Sequence, residues 1–189
     1  EGEYAGLPKK LSDPKWKPDF GPAEFTSNVK RTGATAIGAR DFLVAYNINL
    51  NTTSTRRANA IAFDIREAGR VIREGNPLTG KIKTDENGEP TRQPGKLKAV
   101  KGIGWYIEEY GIAQISYNLT NISVTPVHVA FDETEKAAHS RGIRVTGSEL
   151  VGLIPLKAML DAADYFLEKQ GRSKGIDETE KIKIAVKSL

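Results

Sequence analysis

Five neutral polar side chains recur at alternate positions in two otherwise apolar segments of the chain. They are Asn47 and Asn49 in the first segment, and Gln114, Ser116 and Asn118 in the second. Amide and hydroxyl groups make directional hydrogen bonds, which suit a polar ring or a carboxylate. The same alternation is typical of the ordinary outer face of a sheet, so the pattern alone leaves both interpretations open.

Residues that usually bind metals or act as nucleophiles are scarce. The chain has no cysteine and two histidines, and neither His128 nor His139 has an acid or a second histidine at the spacing of a metal site. We therefore predict no metal site and assign no catalytic residue. We expect His128 to be a structural residue on a helix and His139 to be solvated.

The polar residues need strands and helices to position them. Alternation predicts strands over 41–50, 97–109, 112–120 and 143–148, and helical spacing predicts helices over 53–68, 125–142, from 155 and from 177. This order is the β-α-β-β-α-β pattern of a ferredoxin-like α+β sandwich, here with extra C-terminal helices. Two crossover helices would cover one sheet face, and the face with the amides would stay open to solvent or to another domain.

Two segments contain few apolar residues at regular spacing. Residues 1–32 hold Pro8, Pro14, Pro18 and Pro22, and we predict an irregular arm. Residues 70–96 are polar, with a turn signal at Asn87-Gly88, and we predict an exposed excursion. The last predicted helix runs to the final residue without a stop signal, and the first residue is not Met, so we expect the chain to be part of a longer one.

Composition limits the possible partners. The chain has 189 residues, 39% of them hydrophobic, and a net charge of +4, which fits one domain with an ordinary core. No apolar run approaches the ~20 residues that cross a bilayer, so we expect no membrane partner. The basic residues are interleaved with acids and form no block with aromatic neighbours, so we expect no nucleic acid partner. The absence of cysteine fits the cytoplasm.

Several long blocks together carry a family resemblance. They are DFGP at 19–22, GATAIGARDFLVAYNINLNT at 33–52, GIGWYIEEYGIAQISYNLTN at 102–121, VTPVHVAFDET at 124–134 and VTGSELVGLIPLKAMLDAA at 145–163. In this order they closely resemble the C-terminal subdomain of glutamate formiminotransferase (formimidoyltransferase), which is also found in formiminotransferase-cyclodeaminase. The resemblance covers nearly the whole chain.

The resemblance implies a function for the longer protein. Members transfer a formimino group from N-formimino-L-glutamate to tetrahydrofolate, their co-substrate, in histidine degradation in the cytoplasm. Folate lies between two subdomains, the catalytic histidine belongs to the N-terminal one, and full-length members form homodimers. Residues 33–189 then correspond to the C-terminal subdomain, with 70–96 as an insertion, and residues 1–32 to an arm that carries the start of a folate-contacting loop. Without the N-terminal subdomain, we expect this chain to be inactive alone.

The resemblance also implies site residues. The folate-contacting loop corresponds to Gly21, Pro22, Ala23, Glu24, Phe25 and, at its end, Gly33. Strand alternation adds Asn47, Asn49, Gln114, Ser116 and Asn118 as folate contacts. Positive charge near the site would attract the substrate carboxylates, and the candidates are Arg40, Lys98 and Lys101.

An alternative from a different class remains open. The chain would then be a non-catalytic ferredoxin-like module that binds a protein or RNA through its open sheet face. RNA readers of that shape place aromatic side chains on the open face. Amides are expected there in this chain, which disfavours RNA.

Overall fold

A computed structural model describes residues 4–76 and 79–189, and the chain divides into two compact units, residues 1–40 and 41–189. The first unit contains helix α1 (Leu7–Leu11), a 3-10 turn (Pro14–Trp16) and helix α2 (Ser27–Thr32). The prediction of an irregular arm over 1–32 is therefore wrong for these stretches. Pro8 and Pro14 lie in the first turns of their helices, where the missing N–H costs no hydrogen bond.

The second unit is an α+β domain built on one antiparallel sheet. Its elements are β1 (Val44–Leu50), α3 (Thr55–Ile65), β2 (Arg70–Val71), β3 (Arg92–Gln93), β4 (Val100–Ile107), β5 (Ile112–Leu119), α4 (Val127–His139), β6 (Val145–Val151), α5 (Leu156–Lys169) and α6 (Glu178–Ser188). Four strands form the main sheet in the order β4-β5-β1-β6, and every neighbouring pair is antiparallel. The predicted order of strands and helices is confirmed, with boundaries shifted by a few residues.

The apolar rows of the central strands form the core. These buried residues are Val44, Tyr46, Ile48 and Leu50 on β1, and Ala113, Ile115, Tyr117 and Leu119 on β5. Helix α3 covers them with Ile61 and Ile65, whose full burial contributes about 1.5–3 kcal/mol each. Because side chains alternate along a strand, the amides must lie on the opposite face.

Capping side chains mark the starts of helices α3 and α6. The Ser54 hydroxyl accepts from Arg57 N at the start of α3, and Asp177 Oδ1 accepts from Glu180 N at the start of α6. Helices α5 and α6, which follow β6 in the chain, pack against each other. None of the helices in residues 4–76 and 79–189 combines the length and apolarity that crossing a bilayer demands.

The polar segment after α3 forms a small hairpin. Strands β2 and β3 pair antiparallel, and single bridges join Arg73 to Ile82 and Thr84 to Pro90. The predicted turn at Asn87-Gly88 is confirmed, since Gly88 has φ of 79° and its N–H donates to Asp85 O. Pro77 and Leu78, which belong to the predicted excursion, lie outside the described residues.

Candidate ligand-binding face

The sheet face opposite α3, here called the open face, carries its side chains in three rows across the four strands. In strand order β4, β5, β1, β6 the rows are Lys101-Asn118-Ala45-Val151, Ile103-Ser116-Asn47-Glu149 and Trp105-Gln114-Asn49-Gly147. The register therefore brings all five predicted polar residues together on the two central strands.

Gln114 is the centre of a hydrogen-bond network on this face. Its Nε2 donates to Asn49 Oδ1 at 2.7 Å and to Glu149 Oε2 at 3.0 Å, and its Oε1 accepts from Trp105 Nε1 at 3.0 Å. The link to Glu149 passes above β1, because β1 lies between β5 and β6. Four side chains from all four strands are thereby held in fixed orientations.

The five amide and hydroxyl residues differ in accessibility. Asn118 is exposed, and Asn49 and Ser116 are half-buried, so their polar atoms can reach a ligand on this face. Gln114 has no exposed surface and Asn47 is only 7% exposed. Both donor hydrogens of Gln114 are used within the network, so its role in the structure is to hold its neighbours. Direct folate contacts by all five residues stay predictions.

Two residues of this face escaped the sequence analysis. Trp105 is 46% exposed, and its indole lies against the amide network. Glu149 is half-buried and shares a row with Asn47. Alternation along β4 predicted that Trp105 shares a face with Ile103, but not which face. Glu149 was missed because the last strand was expected to end at Ser148.

A cavity of about 530 Å³ opens at the edge of the open face that β4 forms. Among its lining residues are three of the predicted site residues, Lys101, Ser116 and Asn118. Arg66 also lines it and donates from Nη1 to Gly102 O at 3.1 Å. Burial, and secondarily the charge of Arg92, lower the pKa of Arg66. Two cations beside amide and hydroxyl groups can hold a carboxylate.

Of the other two predicted basic residues, Lys98 belongs to the sheet domain and Arg40 does not. Lys98 is exposed, with Nζ 3.7 Å from Glu67 Oε1, and it does not line the cavity. Arg40 belongs to the first unit. Within residues 41–189, Lys101 is therefore the predicted basic residue that lies with the predicted amides, and a role for Arg40 stays a prediction.

The predicted folate-contacting loop also lies in the first unit. Gly21 and Gly33 have φ of 84° and 71°, a left-handed conformation that favours glycine. Gly33 ends α2, and its N–H donates to Val29 O at 2.7 Å. Phe25 packs edge-on against Tyr4, with ring centroids 6.5 Å apart. Pro22, Ala23 and Glu24 are exposed.

The histidines lie in the helical layer. His128 on α4 is buried, stacks on Tyr165 of α5 at 4.6 Å between ring centroids, and has no partner for Nδ1. Burial lowers the pKa of His128, against the opposing charges of Asp161 and Asp132. His139 is exposed, as predicted. Within residues 4–76 and 79–189 no three His, Asp or Glu side chains cluster as a metal site would require.

Known proteins match this chain along its whole length. Residues 45–189 match the family model described as the formiminotransferase domain. The formimidoyltransferase-cyclodeaminase of Dictyostelium discoideum is 44% identical over 189 residues, which are 100% of this chain and 31% of that protein. The Gallus gallus protein of the same name is 46% identical over 188 residues, 100% of this chain and 30% of that protein. The glutamate formimidoyltransferase of Thermoplasma acidophilum is 35% identical over 173 residues, 92% and 48% of the two chains. The chain thus spans about a third to a half of the length of these relatives.

Proposed function

Since this chain belongs to the formiminotransferase family, we propose that it is the folate-binding half of a glutamate formimidoyltransferase. In the full-length protein, N5 of tetrahydrofolate attacks the formimino carbon of N-formimino-L-glutamate. The new N5–C bond forms as the C–N bond to glutamate breaks, and the N5 proton ends on the glutamate nitrogen. The products are 5-formimino-tetrahydrofolate and glutamate, in the degradation of histidine.

The topology supports a ferredoxin-like arrangement for the sheet domain. The four strands of the main sheet and helices α3 and α4 follow one another as β-α-β-β-α-β. In the sheet order β4-β5-β1-β6, the first of these strands, β1, lies between the third, β5, and the last, β6. That arrangement leaves one sheet face free of helices. The two C-terminal helices extend the helical layer and leave the open face uncovered.

The observation that carries the proposal is the set of polar groups on that face. Asn118, Ser116 and Lys101 line one cavity beside the network centred on Gln114. Neutral donors and acceptors suit the ring of a pterin, and Lys101 with Arg66 suits a carboxylate of folate or of the donor. Such fixed groups would orient the two reactants, and orientation contributes strongly to the rate of a two-substrate reaction.

Apolar residues on both edge strands support a partner subdomain on the open face. Ile103 on β4 is 57% exposed and Val151 on β6 is 52% exposed. With Trp105, which is 46% exposed, they add exposed apolar surface to this face, and exposed apolar surface bordered by polar residues is typical of an interaction site. We infer that an N-terminal formiminotransferase subdomain covers this face and supplies the histidine that moves protons. The chain by itself would then be inactive, and the full-length protein would form a homodimer.

The test is a transfer assay on the full-length protein and on this chain. We expect the full-length protein to convert tetrahydrofolate and N-formimino-L-glutamate to 5-formimino-tetrahydrofolate, and this chain alone to give no turnover. In the full-length protein, Lys101→Ala and Asn118→Ala should each lower kcat/KM about 10-fold or more, as expected for lost polar contacts to a ligand. Lys187→Ala, on the distant helix α6, should have no effect. Absence of transfer by the full-length protein contradicts the proposal.

A binding module for RNA remains the second candidate because of one observation. The open face carries the expected amides, but it also carries Trp105, an aromatic residue that is 46% exposed. A single indole tied to Gln114 is a weaker platform than the stacked aromatics of RNA readers. The carboxylate of Glu149 beside it would also repel phosphates. Titration with single-stranded RNA in the presence and absence of tetrahydrofolate separates the two functions.

A further inference from the structure

Glu149 is an acid with no cation beside it in a chain of net charge +4. It is half-buried on the open face, on the edge strand β6, next to the amides of β1. In the described parts of the chain its carboxylate makes no ion pair, although ten other pairs form there. Removing a carboxylate even partly from water is unfavourable unless a cation or hydrogen-bond donors compensate for the lost hydration.

Gln114 fixes the orientation of this carboxylate. Its fully buried amide donates to Glu149 Oε2 at 3.0 Å and is itself held by Asn49 and Trp105. An ionised carboxylate offers about four acceptor positions, and the network uses one of them. The others are free to accept from a ligand, and Oε1 has no partner among the described residues. The carboxylate is thus prepared to accept hydrogen bonds in a defined direction.

We propose that Glu149 accepts two parallel hydrogen bonds from a planar N–C–N edge of a bound reactant. This inference rests on the proposed function, whose two reactants both carry such an edge. The formimino group of the donor is an amidine, and protonated it presents two N–H groups and a positive charge. The pterin ring of the folate presents an amino group beside a ring N–H. A carboxylate binds either edge with two charge-assisted hydrogen bonds.

A purely supporting role for Glu149 makes a different prediction. If Glu149 served only to hold Gln114, then Glu149→Gln would preserve its function, because an amide oxygen also accepts the Nε2 hydrogen. A recognition role needs both carboxylate oxygens as acceptors. In Glu149→Gln the side-chain NH₂ faces the N–H edge of the ligand and repels it.

The test compares Glu149→Gln with Glu135→Gln in the full-length protein. Glu135 is exposed on α4, in the helical layer. Calorimetry measures the Kd of tetrahydrofolate, and steady-state kinetics with tetrahydrofolate in excess measure the KM of N-formimino-L-glutamate. We expect Glu149→Gln to raise one of the two constants roughly 10- to 100-fold, the effect of losing hydrogen bonds to a charged group. The Glu135 variant should match the wild type.

The arms of the experiment identify the reactant. A raised Kd for tetrahydrofolate with an unchanged donor KM assigns the pterin edge to Glu149, and the reverse assigns the amidine. Unchanged constants in Glu149→Gln, in a protein whose wild type binds folate and turns over, overturn the inference and leave the proposed function intact. A wild type that neither binds folate nor transfers the group overturns both.

Discussion

The side-chain amide of Asn59 on α3 pairs with both backbone groups of Gly104 on β4. Asn59 Nδ2 donates to Gly104 O at 3.0 Å, and Gly104 N donates to Asn59 Oδ1 at 3.0 Å. Because β4 is an edge strand, this amide occupies the place of a peptide from a missing neighbouring strand. The contact blocks part of an edge that would otherwise be free to pair with another chain.

Replacing Asn59 by alanine should destabilise the domain. The change leaves the N–H and C=O of Gly104 without their partner in a half-buried place, and we expect unfolding to cost about 1–3 kcal/mol less free energy. Chemical denaturation of Asn59→Ala and of Thr55→Ala, an exposed residue of the same helix, measures the difference. Equal stability of the two variants would contradict the bonding role of Asn59. We also expect Asn59→Ala to aggregate faster at high concentration.

Gly104 itself is needed because α3 passes close to β4. A Cβ at this position would lie 2.4 Å from Asn59 N and 2.6 Å from Ala58 C, both backbone atoms of the helix. Gly104→Ala should therefore shift α3 and lower the free energy of unfolding by about 1–3 kcal/mol. Gly38→Ala, where a Cβ would meet no atom within 4 Å, should change stability little. If Gly104→Ala is as stable as the wild type and its spectra are unchanged, the close approach of α3 to β4 does not require glycine at this position.

His128 should make the fold less stable in acid. Burial lowers its folded-state pKa below the unfolded value of about 6.5. Its neutral form is therefore favoured by folding, and this stability is present above pH 6.5 and is lost as the pH falls through the folded pKa. The carboxylates that oppose the shift are Asp161 of α5 and Asp132 of α4.

Two variants isolate this effect in denaturation curves between pH 5 and pH 8. His128→Phe keeps a ring against Tyr165 but cannot titrate, so its stability should fall less steeply with acid than that of the wild type. His139→Phe removes an exposed histidine and should keep the wild-type slope. An identical acid slope in the wild type and in His128→Phe would rule out this role.

Gln114 should control both the stability and the environment of Trp105. Gln114→Leu removes the partner of Trp105 Nε1, Asn49 Oδ1 and Glu149 Oε2 together. We expect a loss of about 1–3 kcal/mol in the free energy of unfolding and a shift in tryptophan emission, recorded in a Trp16→Phe background where Trp105 is the only indole. Ser116→Ala, which leaves the network intact, is the control. An unchanged emission maximum would argue against the hydrogen bond to the indole.

Strand alternation predicted the two faces of the central strands because burial there is one-sided. The apolar row of β1, with Tyr46 and Ile48, lies in the core, and the row with Asn47 and Asn49 faces away from it. The accessibility of individual amides could not be predicted from the sequence, because it depends on contacts between residues far apart in the chain. Gln114 is fully buried and hydrogen-bonds to Trp105 and Glu149, which lie 9 and 35 positions away.

The short helices of the first unit were missed for a related reason. Proline breaks periodic structure in the interior of a helix, but Pro8 and Pro14 lie in first turns, where proline is favoured. The bounds of the folate-contacting loop came from the family resemblance alone. Its residues from Gly21 to Gly33 lie in the first unit, so their roles as contacts stay predictions.

The most direct test of a folate site on the open face is nuclear magnetic resonance of this ¹⁵N-labelled chain titrated with tetrahydrofolate. We expect concentration-dependent shifts of the side-chain amide signals of Asn49 and Asn118 and of the Trp105 indole N–H. The side-chain amide of Asn87, exposed in the hairpin turn, should not move. Shifts confined to the helical layer around His128 and Tyr165, with none on the open face, would contradict a folate site on the open face.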